Sequence, residues 1–321
     1  MMMNNRESML AGNVLKGYLY VINYPFIEKG LCQLEMKCLF HKEIEEKYFF
    51  SEKKINPSRS PYIKHRVSVM YCADSLEELM GKLQNNKVAY NDFKFVYFKI
   101  EDSELGYDEW ISSVGELGRS IDGSVDMVNP KIMLGATKVH GQWIFGELEK
   151  NDNHWQERNK KPNSNSHSLK TRAAKALVNI AVGDELNCTL IDPCCGVGTV
   201  VIEAISMQIN VKGYEINSLI ARKAEENLAF FGYENVITNG DMHEIKEHFD
   251  VAIVDIPYGL FTPITLEKQC DIIKTARRIA DKLVIITFED MDKALISEGF
   301  AIVDHCHVIK GNFIRTISIC H

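Results

Sequence analysis

The sequence predicts an α/β protein: an open, mainly parallel sheet with helices on both faces and a terminal antiparallel hairpin, preceded by a smaller α+β module. Three observations predict it. From residue 168 onward, short apolar strands alternate with segments of helical period, as in a parallel sheet covered on both faces. Two segments, IDPCCGVGTV (Ile191–Val200) and VAIVDIPYGL (Val251–Leu260), each drive an aspartate off an apolar strand into a Gly- or Pro-bearing turn. Residues 1–150 instead mix strands and single helices without that alternation.

The elements follow in order. YLYVINY (Tyr18–Tyr24) reads as a strand, and Glu28–Phe40 as a helix through Leu31, Leu34, Met36 and Leu39. RVSVMY (Arg66–Tyr71) is a strand. Asp74-Ser75 caps a helix carrying Leu76, Leu79, Met80 and Leu83. FKFVYFKI (Phe93–Ile100) is a strand and Tyr107–Ile121 a helix. Asn129-Pro130 then turns the chain into two strands, Ile132–Lys138 and Trp143–Glu147, around His140-Gly141. Residues 151–167, rich in Asn, Lys and Ser, read as a linker.

In 168–321, helix Leu169–Ala181 precedes strand Cys188–Ile191 and helix Thr199–Met207. Strand Asn210–Tyr214 and helix Ser218–Phe231 follow, then strands Asn235–Thr238 and Val251–Val254. Helix Leu266–Ala280, strand Lys282–Thr287 and helix Met291–Glu298 lead into a hairpin of Ala301–Val308 and Phe313–Ile319. The predicted domains are therefore 1–150, a linker 151–167, and 168–321.

Composition bounds the function. A chain of 321 residues, 45% hydrophobic and 25% charged, is of ordinary globular type and about two domains long. No apolar run reaches the ~18 residues of a membrane helix, and the first residues show no signal-peptide core. The expectation is a cytoplasmic protein with no membrane partner. Nine cysteines without a CxxC pair or a zinc spacing predict reduced thiols and no metal. The net charge of −7 is not that of a simple nucleic-acid binder. Two local runs are basic, Ser51–Arg66 and Glu157–Lys175. They read either as solvated loops or as RNA-holding patches of Lys53, Lys54, Arg59, Lys64, Arg66, Arg158, Lys160 and Lys161.

The strand ends carry the chemistry. In open parallel sheets, ligands bind beyond the carboxyl ends of the strands. Asp192 stands there, followed by Gly196-Val197-Gly198, which lets backbone N–H groups and a helix N-terminus approach a ligand. A nicotinamide enzyme would carry G-x-G-x-x-G, but the third position here is Val201. D-x-x-x-G-x-G-T suits a ligand with an amino-acid end, such as the methionine part of S-adenosylmethionine. Glu215 at the next strand end can take ribose hydroxyls, and Asp241-Met242 the adenine. Each acid taken alone reads equally as a cap. Asp255-Ile256-Pro257-Tyr258 supplies acceptors for a planar exocyclic amine: the Asp255 carboxylate and the Ile256 carbonyl, with Pro257 stiffening the turn and Tyr258 stacking on the base. The gain is positioning and electrostatic stabilisation as charge grows on nitrogen.

With those motifs, 168–321 resembles a class I (Rossmann-like) S-adenosylmethionine-dependent methyltransferase. SHSLKTRAAKALVNIA (Ser166–Ala181), DPCCGVGTVVIEA (Asp192–Ala204) and DIPYG (Asp255–Gly259) narrow the resemblance to THUMP-associated tRNA guanine-N2 methyltransferases of the guanine-10 type. IDGSVDMVNPKIMLG (Ile121–Gly135) and GQWIFGE (Gly141–Glu147) are similar to the end of that family's RNA-binding half. The resemblance implies a THUMP-like module before the catalytic domain, tRNA as partner and S-adenosylmethionine as cofactor. It implies a cofactor set of Thr171, Arg172, Asp192, Pro193, Cys194, Gly196, Gly198, Thr199, Glu215, Ile216, Asp241 and Met242, with Lys170 nearby. Asp255, Ile256, Pro257 and Tyr258 would hold the target base. The family's usual D-P-P-Y is D-I-P-Y here.

Alternatives remain at this level. The same clamp serves DNA adenine or cytosine, or a protein glutamine amide. A non-catalytic RNA-binding scaffold would have no need of Asp255 and Tyr258.

Overall fold

The computed structural model describes residues 17–100, 107–164, 168–257, 264–310 and 313–321. These residues divide into two compact units.

The first unit comprises the described residues up to Asn23, with Ile44–Ser58 and Tyr62–Asp152. Its seven strands are β1 (Tyr18–Ile22), β2 (Tyr48–Ser51), β3 (Ile63–Ala73), β4 (Ala89–Tyr97), β5 (Asp122–Val125), β6 (Ile132–Val139) and β7 (Gln142–Lys150). They form one sheet in the order β2-β1-β3-β7-β6-β4-β5. Pairing is antiparallel except that β4 runs parallel to both β5 and β6. Helix α2 (Leu76–Asn85) begins where Ser75 Oγ accepts from the Glu78 N–H at 3.1 Å, the cap expected there. Its Leu79 and Leu83 join Leu117 of α3 (Tyr107–Arg119) over Phe93, Phe95, Leu134 and Phe145. The next residue on each strand points the other way, so Val67, Val69, Ile144 and Leu148 build a second core on the opposite face.

The second unit holds Asn153–His321 and also Tyr24–Glu43 and Arg59–Pro61. Its strands are β8 (Thr189–Asp192), β9 (Asn210–Glu215), β10 (Ile237–Asn239), β11 (Phe249–Asp255), β12 (Ala280–Thr287), β13 (Ile302–Lys310) and β14 (Phe313–Cys320). The order is β10-β9-β8-β11-β12-β14-β13. The first five are parallel, while β14 enters antiparallel to β12 and pairs with β13 as a hairpin. Around them lie α4 (Thr171–Val182), α5 (Thr199–Ser206), α6 (Ser218–Phe230), α7 (Leu266–Ile279) and α8 (Asp292–Ser297). Ile273, Ala276 and Ile279 of α7 seal Ala252, Val254, Leu283 and Ile285 of the central strands. No helix among the described residues is long and apolar enough to cross a membrane.

The expected single division near residue 150 meets a different arrangement. Helix α1 (Lys29–Phe40) belongs to the second unit. It lies so close to β13 that a Cβ at Gly30 would come within 2.8 Å of the His307 carbonyl oxygen. Its Glu35 is fully buried; Oε1 accepts from Asn179 Nδ2 at 2.5 Å and Oε2 from Ser60 Oγ at 2.6 Å. Asn179 in turn accepts from Arg59 Nε at 2.6 Å. Three separate stretches of sequence are thereby joined by polar bonds inside one core. Satisfying every buried polar group matters more than the net strength of any single bond. The stretch expected as a linker is packed too: His154–Lys160 is a 3₁₀ helix with Trp155 buried.

Candidate active site

β8 delivers Asp192 to the carboxyl edge of the second sheet. The chain then turns through Gly196 (φ +54°) and Gly198 (φ +79°) into α5. Both angles favour glycine. At Gly198 a side chain would also press on Ala224 and Leu228 of α6, at 3.3 and 3.4 Å. The turn is tied to β9 by the Cys195 N–H, which donates to the Tyr214 carbonyl at 2.9 Å.

Beyond this turn lies a cavity of about 170 Å³. Asp192, Cys194, Gly196 and Thr199 line one part, and Asp255, Ile256 and Pro257 another, with Ser168 and Leu169 completing the wall. Two strand ends that the sequence singled out, 63 residues apart, therefore face one space. Asp192 is only 4% exposed. Burial, and behind it the charges of Asp255 and Glu215, push its carboxyl up to about 8, although the Cys194 N–H donates to it at 3.3 Å. Thr199 Oγ1 is buried at the mouth of α5 with no hydrogen-bond partner among the described residues.

On the far side, β11 ends at Asp255, and the Ile256 N–H donates to the Ile286 carbonyl at 3.1 Å. That bond and the ring of Pro257 fix the turn. Gln269 Nε2, from α7, donates to the Pro257 carbonyl at 3.1 Å. Arg315 Nη1, from β14, lies 3.9 Å from Asp255 Oδ2. Tyr258 lies outside the described residues.

Other predicted residues stand off from the cavity. Pro193 and Gly198 shape the turn rather than line the space. Glu215, at the end of β9, accepts from the Gly196 N–H at 3.0 Å and the Asn217 N–H at 2.8 Å. Ile216 beside it is exposed, and Met242 is buried with its sulfur 3.6 Å from Cys194 Sγ. Asp241 accepts from the His243 N–H at 2.9 Å, capping a single 3₁₀ turn. The competing reading of these acids as structural acceptors thus holds for one oxygen of Asp241 and for both oxygens of Glu215. Thr171 is buried at the start of α4. Arg172 turns elsewhere: Nη1 is 3.4 Å from Glu28 Oε2, and its guanidinium lies over the Trp155 ring at 5.3 Å.

The basic runs also sort themselves. Arg59 donates to Asn179 and to the Gly183 carbonyl. Arg66 is 5% exposed, bonded to Glu149 and to the Ile55 carbonyl. Arg158 forks onto the buried Glu203 carboxylate at 2.5 and 2.7 Å. These three guanidiniums are engaged inside their units, against the expectation that they hold RNA. Burial lowers the Lys161 ammonium. Lys54, Lys64 and Lys160 are exposed and Lys53 half-buried. Lys53, Lys54 and Lys64 belong to the first unit and Lys160 to the second.

The sequence reading did not bring Gln269 or Arg315 to this edge: Gln269 is buried on the helix face that carries Ile272, Ile273 and Ala276, and Arg315 is the charged residue within an otherwise uncharged strand.

With this geometry in view, comparison with known proteins is informative. Residues 158–269 match a family described as "UPF0020: RMKL-like, methyltransferase domain". The second unit carries a methyltransferase domain. Over 157 residues the chain is 28% identical to a tRNA (guanine(10)-N2)-dimethyltransferase of Pyrococcus abyssi, covering 45% of this chain and 46% of that protein. A protein of the same description from Methanothermobacter thermautotrophicus is 24% identical over 152 residues, covering 45% of each. The chain spans about half the length of these curated relatives. The crystal structure of TrmN from Thermus thermophilus aligns over 95% of this chain and 99% of that one, with 15% identity and a TM-score of 0.47.

The cofactor of a methyltransferase domain of this sheet order is S-adenosylmethionine, and the residues fit it. Asp192 is a buried acid in want of a cation, as an α-ammonium provides. The unpartnered Thr199 hydroxyl and the N-terminus of α5 offer donors to a carboxylate. The cavity is smaller than the roughly 300–1,000 Å³ of a whole ligand pocket, a size that suits one end of such a ligand. Glu215 and Ile216 stand outside it, at the neighbouring strand end. Among the described residues, no group of three His, Cys, Asp or Glu is placed to hold a metal ion.

Proposed function

We propose that the chain is an S-adenosylmethionine-dependent RNA methyltransferase that modifies the exocyclic N2 of a guanine in tRNA. One observation carries the reading: Asp255-Ile256-Pro257 closes the same cavity as Asp192 and Thr199. The amine acceptors and the cofactor's amino-acid end thus share one small space.

Bound S-adenosylmethionine supplies an electrophilic methyl, whose bond to sulfur breaks as the bond to nitrogen forms, leaving the electron pair on sulfur. The chain's own residues do the rest. Asp192 holds the ammonium, and the Thr199 hydroxyl with the N-terminus of α5 holds the carboxylate. Asp255 and the Ile256 carbonyl accept the two amine N–H bonds and aim the nitrogen. The Asp255 carboxylate offsets the positive charge as it develops on nitrogen and stands ready for the proton that departs. Tyr258 supplies the flat face against the base. A base-paired guanine leaves its stack first, at a cost of about a few kcal/mol.

The first unit is a THUMP-like module that grips the RNA backbone through Lys53, Lys54 and Lys64. The relatives named as guanine-10 dimethyltransferases support guanine N2 over other nitrogens. The test is nucleoside mass spectrometry on RNA from a deletion strain, followed by methylation of the affected RNA by purified protein. Loss of an N2-methylguanosine supports the reading. Loss of a methylated adenine or cytosine, or of no nucleoside at all, refutes it.

A further inference from the structure

The antiparallel direction of β14 has a chemical consequence. In the five parallel strands, only carboxyl ends reach the edge that holds Asp192 and Asp255. Strand β14 runs the other way, so it brings its beginning there. Thr316 pairs with Thr287, and one residue earlier Arg315 stands beside Phe288, just past the end of β12. Asp255 is level with Ile286 on the other side of β12.

We infer that Arg315 is a positioning residue for the transfer step, holding the Asp255 carboxylate turned toward the amine and keeping it an anion. The inference rests on the reading of Asp255 as the amine acceptor. Arg315 is 4% exposed, so its charge is little screened by water. Its guanidinium carbon lies 4.8 Å from the centre of the Phe288 ring. That face fixes the plane of the guanidinium, leaving Nη1 beside Asp255 Oδ2 at 3.9 Å. Without a cation here the site would be a cluster of acids. Asp192 on β8 and Glu215 on β9 face the same edge; burial first, and behind it the charges of Asp255 and Glu215, push the Asp192 carboxyl upward. A carboxyl that held a proton could not accept both the orientation and the charge of the amine. Arg315 counters that tendency from the strand opposite.

The test is a titration of the Asp255 side-chain carboxyl by carbon NMR on the full chain labelled at aspartate, with S-adenosylhomocysteine bound and Asp255→Asn to assign the signal. This readout does not require turnover. Arg315→Gln should raise the Asp255 midpoint by about one pH unit or more, the usual effect of removing an opposite charge at this range. Arg315→Lys, which keeps the charge but not the planar fork, should restore the midpoint. In single-turnover transfer, Arg315→Gln should slow the step by roughly 10²-fold, the scale of a misplaced catalytic group. S-adenosylhomocysteine affinity should stay within a few-fold, and the acid limb of its rate profile should move up with the NMR midpoint. Should Arg315→Gln not fold, Arg315→Met, which keeps a buried apolar stem without the charge, takes its place: an Asp255 midpoint raised by about a unit supports the inference, and one at the wild-type value overturns it. An Asp255 midpoint indifferent to Arg315→Gln also overturns it. A wild-type protein that transfers no methyl to any RNA, with the NMR coupling intact, defeats the proposed function instead.

Discussion

Asp192 links cofactor binding to a proton. Its carboxyl sits near 8 because it is buried beside two other acids. A bound ammonium favours the anion, so below pH 8 the ligand has to displace a proton to bind. The free protein is half protonated at Asp192 at pH 8 and about 99% protonated at pH 6. S-adenosylhomocysteine should therefore bind about 50-fold more weakly at pH 6 than at pH 8, or about 2.3 kcal/mol, from this group alone. Asp192→Asn keeps an oxygen for the Cys194 N–H and removes the titration. It should bind more weakly at pH 8 and retain only the dependence due to the ligand's own amine. Calorimetry at several pH values, in buffers of different ionisation enthalpy, measures both affinity and protons released. Near pH 6.5 the wild-type protein should release about one more proton per ligand than the variant. Equal slopes and equal proton release in the two proteins would refute the reasoning.

Further outcomes follow from the same geometry. Asp255→Ala should lower single-turnover methyl transfer by about 10²–10³-fold, or about 3–4 kcal/mol, while S-adenosylhomocysteine binding persists; transfer at the wild-type rate would show that the amine clamp is wrong. Glu35, raised to about 7 by burial, holds its proton more tightly folded than unfolded. Its stabilising contribution is thus complete below about pH 4.5 and lost as pH rises through 7, a change on the order of 3 kcal/mol. Thermal melts between pH 5 and 8 should fall in the wild type and fall less in Glu35→Gln, with the residual slope due to Asp192, which has the same sign; an unchanged slope counts against the buried carboxyl. Neutralising Lys54 or Lys64 should flatten the salt dependence of RNA binding by nearly one unit of slope for each phosphate left without its cation. Arg158→Gln should instead lower Tm, because it strands the buried Glu203 carboxylate; a slope change with no loss of stability would reverse these roles.

The strand-and-helix alternation after residue 168 was legible because each period reports which side of an element is buried. The same signal failed where strands are short or exposed. Tyr48–Ser51 is only four residues, and Asp122–Val125 is exposed at every position, so neither shows a usable alternation. Periodicity in α1 revealed a buried face but not its neighbour, and only the structure shows that it packs in the second unit. At the site, Asp192, Thr199 and Asp255 were readable because a turn that brings backbone to a ligand needs glycine or proline at fixed offsets. Arg315 was not, because its partner lies sixty residues away across an intervening strand. The basic runs misled for a related reason: charge density in sequence does not reveal that Arg59, Arg66 and Arg158 each have a carbonyl or an acid waiting inside.

The membership of α1 in the second unit bears on the order of synthesis. Leu31, Leu34, Met36 and Leu39 leave the ribosome long before α4 and β13, the surfaces that bury them. At about 5–20 residues per second, the helix waits roughly 7–30 s for α4 and longer for the terminal hairpin. During that wait Glu35 stands in water with an ordinary carboxyl, charged at neutral pH, in the middle of the apolar stripe. It breaks up a patch that would otherwise invite aggregation. Docking then withdraws it from water and raises its proton affinity. A nascent chain that stalls after Asp152 has made the first unit complete and has left one helix of the second unpaired, a natural handle for a chaperone.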